Sequence, residues 1–224
     1  MTSQYSVNIE KQRNTCNGKT LMPPPTRQQI RTRETQTRLL NAAEEVFVRD
    51  GFEGAQLDQI AAKAGRSKGA VYTHFKNKED LFLALFEHRT RSYVQGLVET
   101  VEKCAGRKQS LEAFREFYVE LLRDQAFSIL TLEFKLYALR HPESKERFRS
   151  AVEMFRTTSD DALYMQMFGE LARDARANND LAISALAPIL SGLILESNFE
   201  PKLSKKSLHK ILGRLFDALF PAPS

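Results

Sequence analysis

Apolar residues recur along this chain at spacings of three and four, and no segment alternates apolar and polar positions with a period of two. This pattern is typical of amphipathic helices and predicts an all-α fold. The first helix is predicted over residues 35–50, and Gly51 should end it. Its apolar stripe consists of Leu39, Leu40, Ala43, Val46 and Phe47.

Two short helices are predicted next, over residues 57–64 and 68–75. Gly65 lies between them and can adopt the positive φ that a tight turn after a helix requires. Ser67 offers a hydroxyl that can cap the second helix. Together these elements form a helix-turn-helix, although an ordinary corner between two helices of an α-domain has the same spacing.

The exposed face of the second short helix carries hydroxyls, an imidazole and cations. From Ser67 onward, the first acidic residue is Glu79. A solvated helix without a special function would be expected to mix both signs of charge. Side chains of this kind hydrogen-bond to phosphates and to base edges in the major groove of DNA. The pattern therefore predicts a DNA recognition helix. Its predicted contacts are Ser67, Lys68, Gly69, Tyr72, Thr73 and His74, with Lys78 just beyond the helix.

A fourth helix should begin after Asn77, whose side chain can cap it, with Glu79 and Asp80 in a first turn where acids are favoured. Its apolar spacing continues to Val101, which predicts a long helix that connects the N-terminal helices to the rest of the chain. The three preceding helices share a small core that should lean on this fourth helix. That core is predicted to contain Leu40, Phe47, Phe52, Ile60, Val71 and Phe75.

The remainder of the chain is also helical in pattern. Residues 129–139 are apolar on nearly all sides, which predicts a buried helix that ends at His141 and Pro142. A long helix should run from residue 148 to residue 176, followed by a loop at residues 178–180. Pro188 should kink the helix after that loop.

The last two helices, predicted over residues 180–199 and 204–220, both carry broad apolar faces. Two hairpinned helices of this kind suit a four-helix interface between two copies of the chain, which predicts a homodimer. The predicted interface residues are Leu186, Ile189, Leu193, Leu208, Leu212, Leu215, Phe216 and Leu219.

Residues 37–88 contain the stretch LLNAAEEVFVRDGFEGAQLDQIAAKAGRSKGAVYTHFKNKEDLF, which resembles the tetracycline-repressor (TetR) family of bacterial transcriptional regulators. Among the most specific matches are Gly51–Phe52, Ala64–Gly65 and Tyr72. The other two-thirds of the chain matches the family only in being helical and of suitable length. The resemblance implies a ligand-responsive regulator, most often a repressor, that binds a palindromic double-stranded operator as a dimer. The N-terminus lacks the apolar core of a signal peptide, so the protein is expected to stay in the cytoplasm.

The resemblance also divides the chain into a helix-turn-helix head (residues 34–82) and an effector-binding and dimerisation body (residues 83–224). Residues 1–33 are polar, basic and interrupted by Pro23–Pro24–Pro25, so they are expected to form a disordered arm. That arm either reaches DNA beside the recognition helix or is an inert extension.

Ten of the 21 aromatic residues lie between residues 114 and 168, which indicates either a well-filled core or a large apolar pocket. The resemblance favours the pocket, because TetR relatives bind a small effector in this region. A mostly apolar ligand there should tilt the long fourth helix and change the spacing of the two heads. The predicted lining is Phe114, Phe117, Tyr118, Phe134, Tyr137 and Phe155.

Two departures from the family pattern concern DNA contacts. Relatives usually open the second helix with hydroxyl residues that touch phosphate, whereas this chain has Gln56 and Leu57. Gln56 can still donate a hydrogen bond, but Leu57 cannot. Arg66 lies where relatives often have a small or apolar turn residue, and it is expected either to contact guanine in a bidentate manner or to bind a phosphate.

Charge, cysteines and hydropathy narrow the function further. Residues 1–85 hold 13 Lys and Arg against 9 Asp and Glu, whereas the remainder is nearly neutral. Such an asymmetry suits a nucleic-acid module, although a basic tail alone would also produce it. Cys16 and Cys104 are far apart and predict neither a disulfide framework nor a metal site. The chain contains no run of 18 apolar residues, so the sequence predicts no membrane span.

An enzyme is disfavoured because no phosphate loop, HExxH motif, Cys/His cluster or nucleophile elbow is present, and no cofactor is expected. Glu133 and Glu170 are the remaining acid candidates, and each is better explained as a solvated or capping charge. The alternative function is a helical partner-binding or scaffold protein with a vestigial helix-turn-helix. Steeply salt-dependent DNA binding would distinguish a regulator from such a scaffold.

Overall fold

The structure, a computed structural model, describes residues 26–156, 161–168 and 173–220. It describes side chains within these ranges except at residues 122, 151–156, 161–163, 166, 173–177 and 187. Every regular element in the described ranges is helical, which confirms the predicted all-α fold. Contacts divide the chain between Gln36 and Thr37, and the described residues after this boundary belong to one compact unit. The predicted boundary between head and body at residue 82 falls inside that unit.

The first helix, α1 (Arg27–Gly54), begins at Arg27 instead of residue 35. Thr26 and Gln29 explain the earlier start, because the Thr26 Oγ1 accepts from the Gln29 N–H (3.2 Å) and the Gln29 Oε1 accepts from the Thr26 N–H (2.8 Å). This reciprocal pair is a capping box. The predicted arm is therefore helical from Arg27 onward, and residues 1–25 lie outside the described residues.

Gly51 interrupts α1, as its position in the sequence predicts. Its backbone has φ 69° and ψ 175°, so the segment that follows it changes direction. A positive φ of this size is accessible to glycine without steric cost. The interruption brings Phe52 into the core, where its ring lies 6.1 Å from that of Phe47.

The helix-turn-helix consists of α2 (Leu57–Lys63) and α3 (Lys68–His74), and the long helix α4 (Lys78–Val101) follows. Asn77 caps α4 as predicted, with its Oδ1 accepting from the Asp80 N–H at 2.7 Å. All members of the predicted head core are buried. They share one hydrophobic cluster with Leu81 and Leu85 of α4, so the head does lean on the fourth helix.

That first cluster also extends into the body. Phe82 of α4 lies 4.7 Å, ring centre to ring centre, from Phe47 and 5.1 Å from Phe134. Phe127 and Leu130 belong to the same cluster. The core of the head is therefore continuous with the core of the body.

The body contains six further α-helices within the described residues. They are α5 (Arg107–Arg123), α6 (Gln125–Arg140), α7 (Lys145–Arg156), α8 (Asp161–Phe168), α9 (Arg173–Glu196) and α10 (Lys205–Leu219). The helix α4 packs against α5, α6, α7 and α8, so it forms the central axis of the body. A short 3-10 turn at Pro142–Ser144 separates α6 from α7, where the sequence predicts a break.

Two predictions for the body are wrong. The helix α6 is not buried on all sides, since Leu136 and Leu139 are 49% and 69% exposed. Within the predicted helix over residues 148–176, the described residues are helical and belong to α7, α8 and the start of α9, whereas residues 157–160 and 169–172 lie outside the described residues. The predicted loop at residues 178–180 lies inside α9, where none of its three short polar side chains is buried and the Ser184 hydroxyl donates to the Asp180 carbonyl at 2.6 Å.

A second hydrophobic cluster fills the far end of the body. It joins Leu97 and Val101 of α4 to side chains of α5, α8, α9 and α10. Its buried members include Phe114, Tyr118, Phe168, Leu186, Leu212 and Phe216.

Within α9, the segment Asn178–Glu196 is long and apolar enough, by length and composition, to cross a membrane, with a mean hydropathy of 1.3. One side of it, formed by Ala182, Leu186 and Leu190, packs into the second cluster. The other side is exposed. This segment is therefore an apolar surface that is only half covered by its own chain.

Candidate nucleic-acid interface

The turn between α2 and α3 has the geometry that the sequence predicts. Gly65 adopts φ 64°. A side chain at this position would clash with no neighbouring residue, but the backbone conformation itself would be strained for any residue other than glycine. The Gly65 N–H donates to the Ala62 carbonyl (3.0 Å), and the Arg66 N–H donates to the Ala61 carbonyl (2.9 Å). These two bonds close the end of α2 and fix the direction of α3.

The helix α3 is held by its two ends and by one apolar side chain. Ser67 caps it, with its Oγ accepting from the Ala70 N–H at 3.3 Å. Val71 is fully buried, and Phe75 is buried where the helix ends. Because Val71 points into the core, the opposite face of this short helix points to solvent. That face presents Ser67, Lys68, Gly69, Tyr72 and Thr73, all of them exposed.

The exposed side chains differ in how free they are to bind a ligand. Tyr72 is 51% exposed. The Lys68 ammonium instead contacts the Asp58 carboxylate at 2.9 Å, and this hydrogen bond and charge raise the pKa of Lys68. Thr73 donates its hydroxyl to the Gly69 carbonyl at 3.0 Å. His74 is half-buried, with its ring 6.2 Å from that of Phe75.

Lys78 has a structural role that the sequence analysis missed. Its ammonium donates to the carbonyl of Glu53 (3.1 Å) and to that of Ala55 (3.3 Å) at the end of α1. The same group lies 4.7 Å from the centre of the Phe52 ring, a cation–π contact. Lys78 therefore stabilises the head, and only its remaining N–H bond is available to a phosphate.

The two positions that depart from the family pattern have clear environments. Gln56 is exposed and precedes α2 in an extended conformation, without a side-chain capping bond. Leu57 is half-buried and packs against the first cluster. Arg66 is half-exposed and donates to the carbonyl of Gly65 at 3.2 Å. Gln56 is therefore free to donate to a phosphate, and Leu57 is a core residue.

The structure does not assemble the predicted pocket in one place. Phe114, Phe117 and Tyr118 of α5 pack in or against the second cluster, whereas Phe134 and Tyr137 of α6 pack in or against the first. Phe134 stacks on Phe82 and Phe86, and Tyr137 lies 4.4 Å from Phe52. Through these ring contacts, Phe134 and Tyr137 pack the body against the head. The side chain of Phe155 lies outside the described residues.

Half of the predicted dimer interface is buried inside the chain itself. Leu186, Leu212 and Phe216 belong to the second cluster, and Leu208 is also buried, so these four side chains are unavailable to a partner. Leu193, Leu215 and Leu219 are partly buried against that cluster, and only Ile189 is exposed, at 40%. The predicted apolar period is present, but most of its side chains face the core of the same chain. The exposed face of α9 instead carries Leu181, Ile189 and Leu195.

Head and body are joined by polar contacts that the sequence analysis did not identify. The Asp124 carboxylate caps α6, with Oδ1 accepting from the Phe127 N–H at 2.8 Å. Its Oδ2 contacts the Arg89 guanidinium and accepts from the Tyr93 hydroxyl. The Nε of Arg89 lies 3.5 Å from the Glu44 carboxylate of α1. Burial raises the pKa of Glu44, although Arg89 opposes that shift. Burial and the bond to Asp124 raise the pKa of Tyr93.

A second set of polar contacts joins the start of α4 to the corner between α6 and α7. The Ser144 hydroxyl donates to Glu79 at 2.5 Å, and Arg147 contacts Asp80 at 3.0 Å. The only feature of the sequence that points to these contacts is the pair of acids in the first turn of α4, and their favourable interaction with the helix dipole would explain them equally well. Within the described residues, no group of three or more His, Cys, Asp and Glu side chains is arranged to hold a metal.

The head matches a known family. Residues 39–85 match the model of the bacterial regulatory proteins of the tetR family. Over 94 residues the chain is 31% identical to the fatty acid metabolism regulator protein of Bacillus subtilis (strain 168), and this alignment covers 42% of the chain and 48% of the relative. The chain thus spans about half the length of that curated relative.

Solved structures share the fold over most of the chain. The fatty acid degradation regulator FadR from Bacillus halodurans superposes with a TM-score of 0.65 at 20% identity, covering 84% of this chain and 95% of that one. FadR from Bacillus subtilis in complex with stearoyl-CoA gives a TM-score of 0.60 at 19% identity, covering 84% and 99%. At these identities the likeness shows the fold alone.

Proposed function

Since the chain belongs to the TetR family of bacterial transcriptional regulators, we propose that it binds operator DNA through α3 and is released by a small, mostly apolar effector. The observation that carries this proposal is the orientation of α3. Val71 anchors one side of the helix in the core, and the other side presents Tyr72 and its polar neighbours to solvent. A protruding polar helix after a glycine turn fits the major groove.

The DNA contacts are of two kinds. Ser67, Thr73 and Gln56 are exposed hydrogen-bonding groups at or beside α3 and suit phosphate contacts that fix the position of the head. Tyr72 and His74, with Gly69 allowing close approach, suit contacts with base edges and sugars. Lys68 must exchange Asp58 for a phosphate when DNA binds, and Arg66 must release the Gly65 carbonyl.

A second copy of the chain covers the exposed face of α9 in this proposal. No charged residue occurs from Leu181 to Leu195, and apolar side chains on this face remain exposed although its opposite face is buried. Uncharged surfaces of this kind on a helix mark protein interfaces. Pairing α9 and the adjoining α10 with their copies would form a four-helix interface and hold two heads for a two-fold symmetric operator.

The effector in this proposal is a molecule with a long acyl chain. Support comes from relatives whose names refer to fatty acid metabolism, and from the related fold that holds stearoyl-CoA. The body offers apolar walls on α4, α5 and α8, where Leu97, Phe114 and Phe168 are buried. The helix α4 contributes side chains to both clusters, and α6 contacts the head directly. A ligand that separates these two helices would therefore change the position of the head.

Repression is proposed as the outcome of DNA binding, by occlusion of a promoter, and activation is the alternative. The other alternative is a scaffold protein that keeps the helix-turn-helix only as a structural element. The cytoplasm is the proposed location because the target is genomic DNA. These alternatives make different predictions for DNA binding and for reporter expression.

The test begins by selecting sequences from random duplex DNA with the purified full-length protein. Fluorescence anisotropy then measures affinity for the selected duplex at several salt concentrations, with and without stearoyl-CoA. A regulator should show a steep salt dependence, as phosphate contacts release counterions. Tyr72→Ala should weaken binding, whereas Gln95→Ala on the exposed side of α4 should not. A scaffold would select no sequence, and a reporter gene behind the selected site would separate repression from activation.

A further inference from the structure

Thr90 is a fully buried residue with an unused hydroxyl. It lies midway along α4 with 0% exposure, and its Oγ1 has no hydrogen-bond partner in the described part of the chain. Four residues earlier, Phe86 belongs to the first cluster, and seven residues later, Leu97 belongs to the second. Thr90 therefore lies on the face of α4 where the two hydrophobic clusters meet.

Three other helical threonines of this protein pair their hydroxyls with the backbone of their own helix. The Oγ1 atoms of Thr73, Thr100 and Thr131 donate to the carbonyl four residues earlier, at 3.0, 2.7 and 2.7 Å. This is the usual solution for a hydroxyl within a helix. The buried Thr90 is thus the position where the same bond, to the carbonyl of Phe86, is not made.

An unpaired hydroxyl in an apolar core disfavours the folded state, because the group loses its bonds to water without replacing them. Valine has the same branched shape and would fill the position without this penalty. We propose that the Thr90 hydroxyl is a binding group for the effector. It would hydrogen-bond a single oxygen atom carried within an otherwise apolar chain.

This inference rests on the proposed function and narrows its ligand. A hydroxyl both donates and accepts, so it can pair with a carbonyl or a hydroxyl oxygen of the ligand. A plain saturated chain at this position would leave Thr90 unpaired, whereas an oxygenated chain would satisfy it. The site therefore favours chains with one oxygen substituent over chains with none.

The test uses octadecanoate and a set of octadecanoates that carry one hydroxyl or oxo group at successive carbons. Calorimetric titration of the full-length protein should find at least one oxygenated chain that binds about tenfold more tightly than octadecanoate, as expected for one buried hydrogen bond. Thr90→Val should abolish that preference and leave the affinity for octadecanoate unchanged. Thr90→Ser should retain the preference, and Thr100→Val, on the same helix, should not alter it.

The ligand-free protein provides a second measurement. Thr90→Val should melt at the same temperature as the wild type or higher, by roughly 2–4 °C for a chain of this size. Melting well below the wild type would show that the hydroxyl already serves the fold, which would overturn the inference. Equal affinity of the wild type for all chains, or a preference that survives Thr90→Val, would also overturn it. If no chain binds, the acyl effector of the proposed function fails with it, while DNA binding by α3 stands.

Discussion

Glu133 accepts a hydrogen bond from the backbone N–H of Phe52, with 3.2 Å between Oε2 and the nitrogen. The two residues are 81 positions apart and belong to different functional parts of the chain, since Phe52 follows the break in α1 and Glu133 lies on α6. The bond supplies an acceptor to an N–H that the break at Gly51 releases from the helix. A body residue thereby completes the backbone hydrogen bonding of the head.

Replacing Glu133 should uncouple these two parts. Glu133→Ala would leave the Phe52 N–H without its acceptor in a partly buried position, at a cost of about 1–3 kcal/mol. Glu133→Gln keeps a carbonyl oxygen at the same reach and should cost less. Urea denaturation of both variants, compared with the wild type, measures this difference. Equal losses in the two variants would assign the effect to charge rather than to the hydrogen bond.

The ion pair between Asp58 and Lys68 restrains a side chain of the proposed DNA-binding face. Asp58→Asn would free the Lys68 ammonium and remove a negative charge that faces the phosphates. Affinity should rise on all DNA sequences, and the slope of log affinity against log salt should steepen by about one. Glu45→Gln is the matched control, because it frees Lys63 from a comparable exposed pair at 2.5 Å. An equal gain of affinity in both variants would show that the effect comes only from the change in net charge.

The exposed face of α9 should carry the dimer contact. Leu181→Asp combined with Ile189→Asp should yield folded monomers with weaker operator binding, as measured by light scattering and anisotropy. Leu139→Asp changes an equally exposed apolar residue of α6 and should leave the dimer intact. Leu212→Asp should instead unfold the body, because that side chain is fully buried. If the double variant remains a dimer, the prediction is wrong and the interface lies on another surface.

Stability should fall on mild acidification because of His88. Burial, and then the charges of Arg89 and Arg91, lower the pKa of this imidazole below its ordinary value of 6.5. The unfolded chain therefore binds a proton before the folded chain does, and stability is lost as the pH falls through 6.5 toward the lower folded value. His88→Gln should lack this loss. Unfolding free energies from pH 8 to pH 5.5 provide the measurement, and identical slopes would contradict the prediction.

Helix positions in the head follow from local chemistry, which explains why the sequence predicts them well. Gly51, Gly65, Ser67 and Asn77 each act through their own backbone or through a neighbour within three or four residues. The early start of α1 is equally local, because it depends on the capping box formed by Thr26 and Gln29.

The direction in which a face points was less predictable. The apolar rows of α9 and α10 are real, yet Leu186 and Leu212 serve the core of one chain, since periodicity does not distinguish a core from an interface. Partners distant in sequence were also missed. Nothing near Lys78 indicates that its ammonium binds carbonyls of residues 53 and 55, and nothing near Glu133 indicates Phe52.

The shared first cluster has a consequence for domain exchange among regulators. Phe82 touches both Phe47 of the head and Phe134 of the body, so a chimera joined near residue 82 would pair foreign aromatics across this contact. Interchangeable heads would require α4 and the inner face of α6 to be transferred with them. Exchange of the head of this chain is therefore constrained by ring packing between its two halves, and the transferable module is larger than the helix-turn-helix itself.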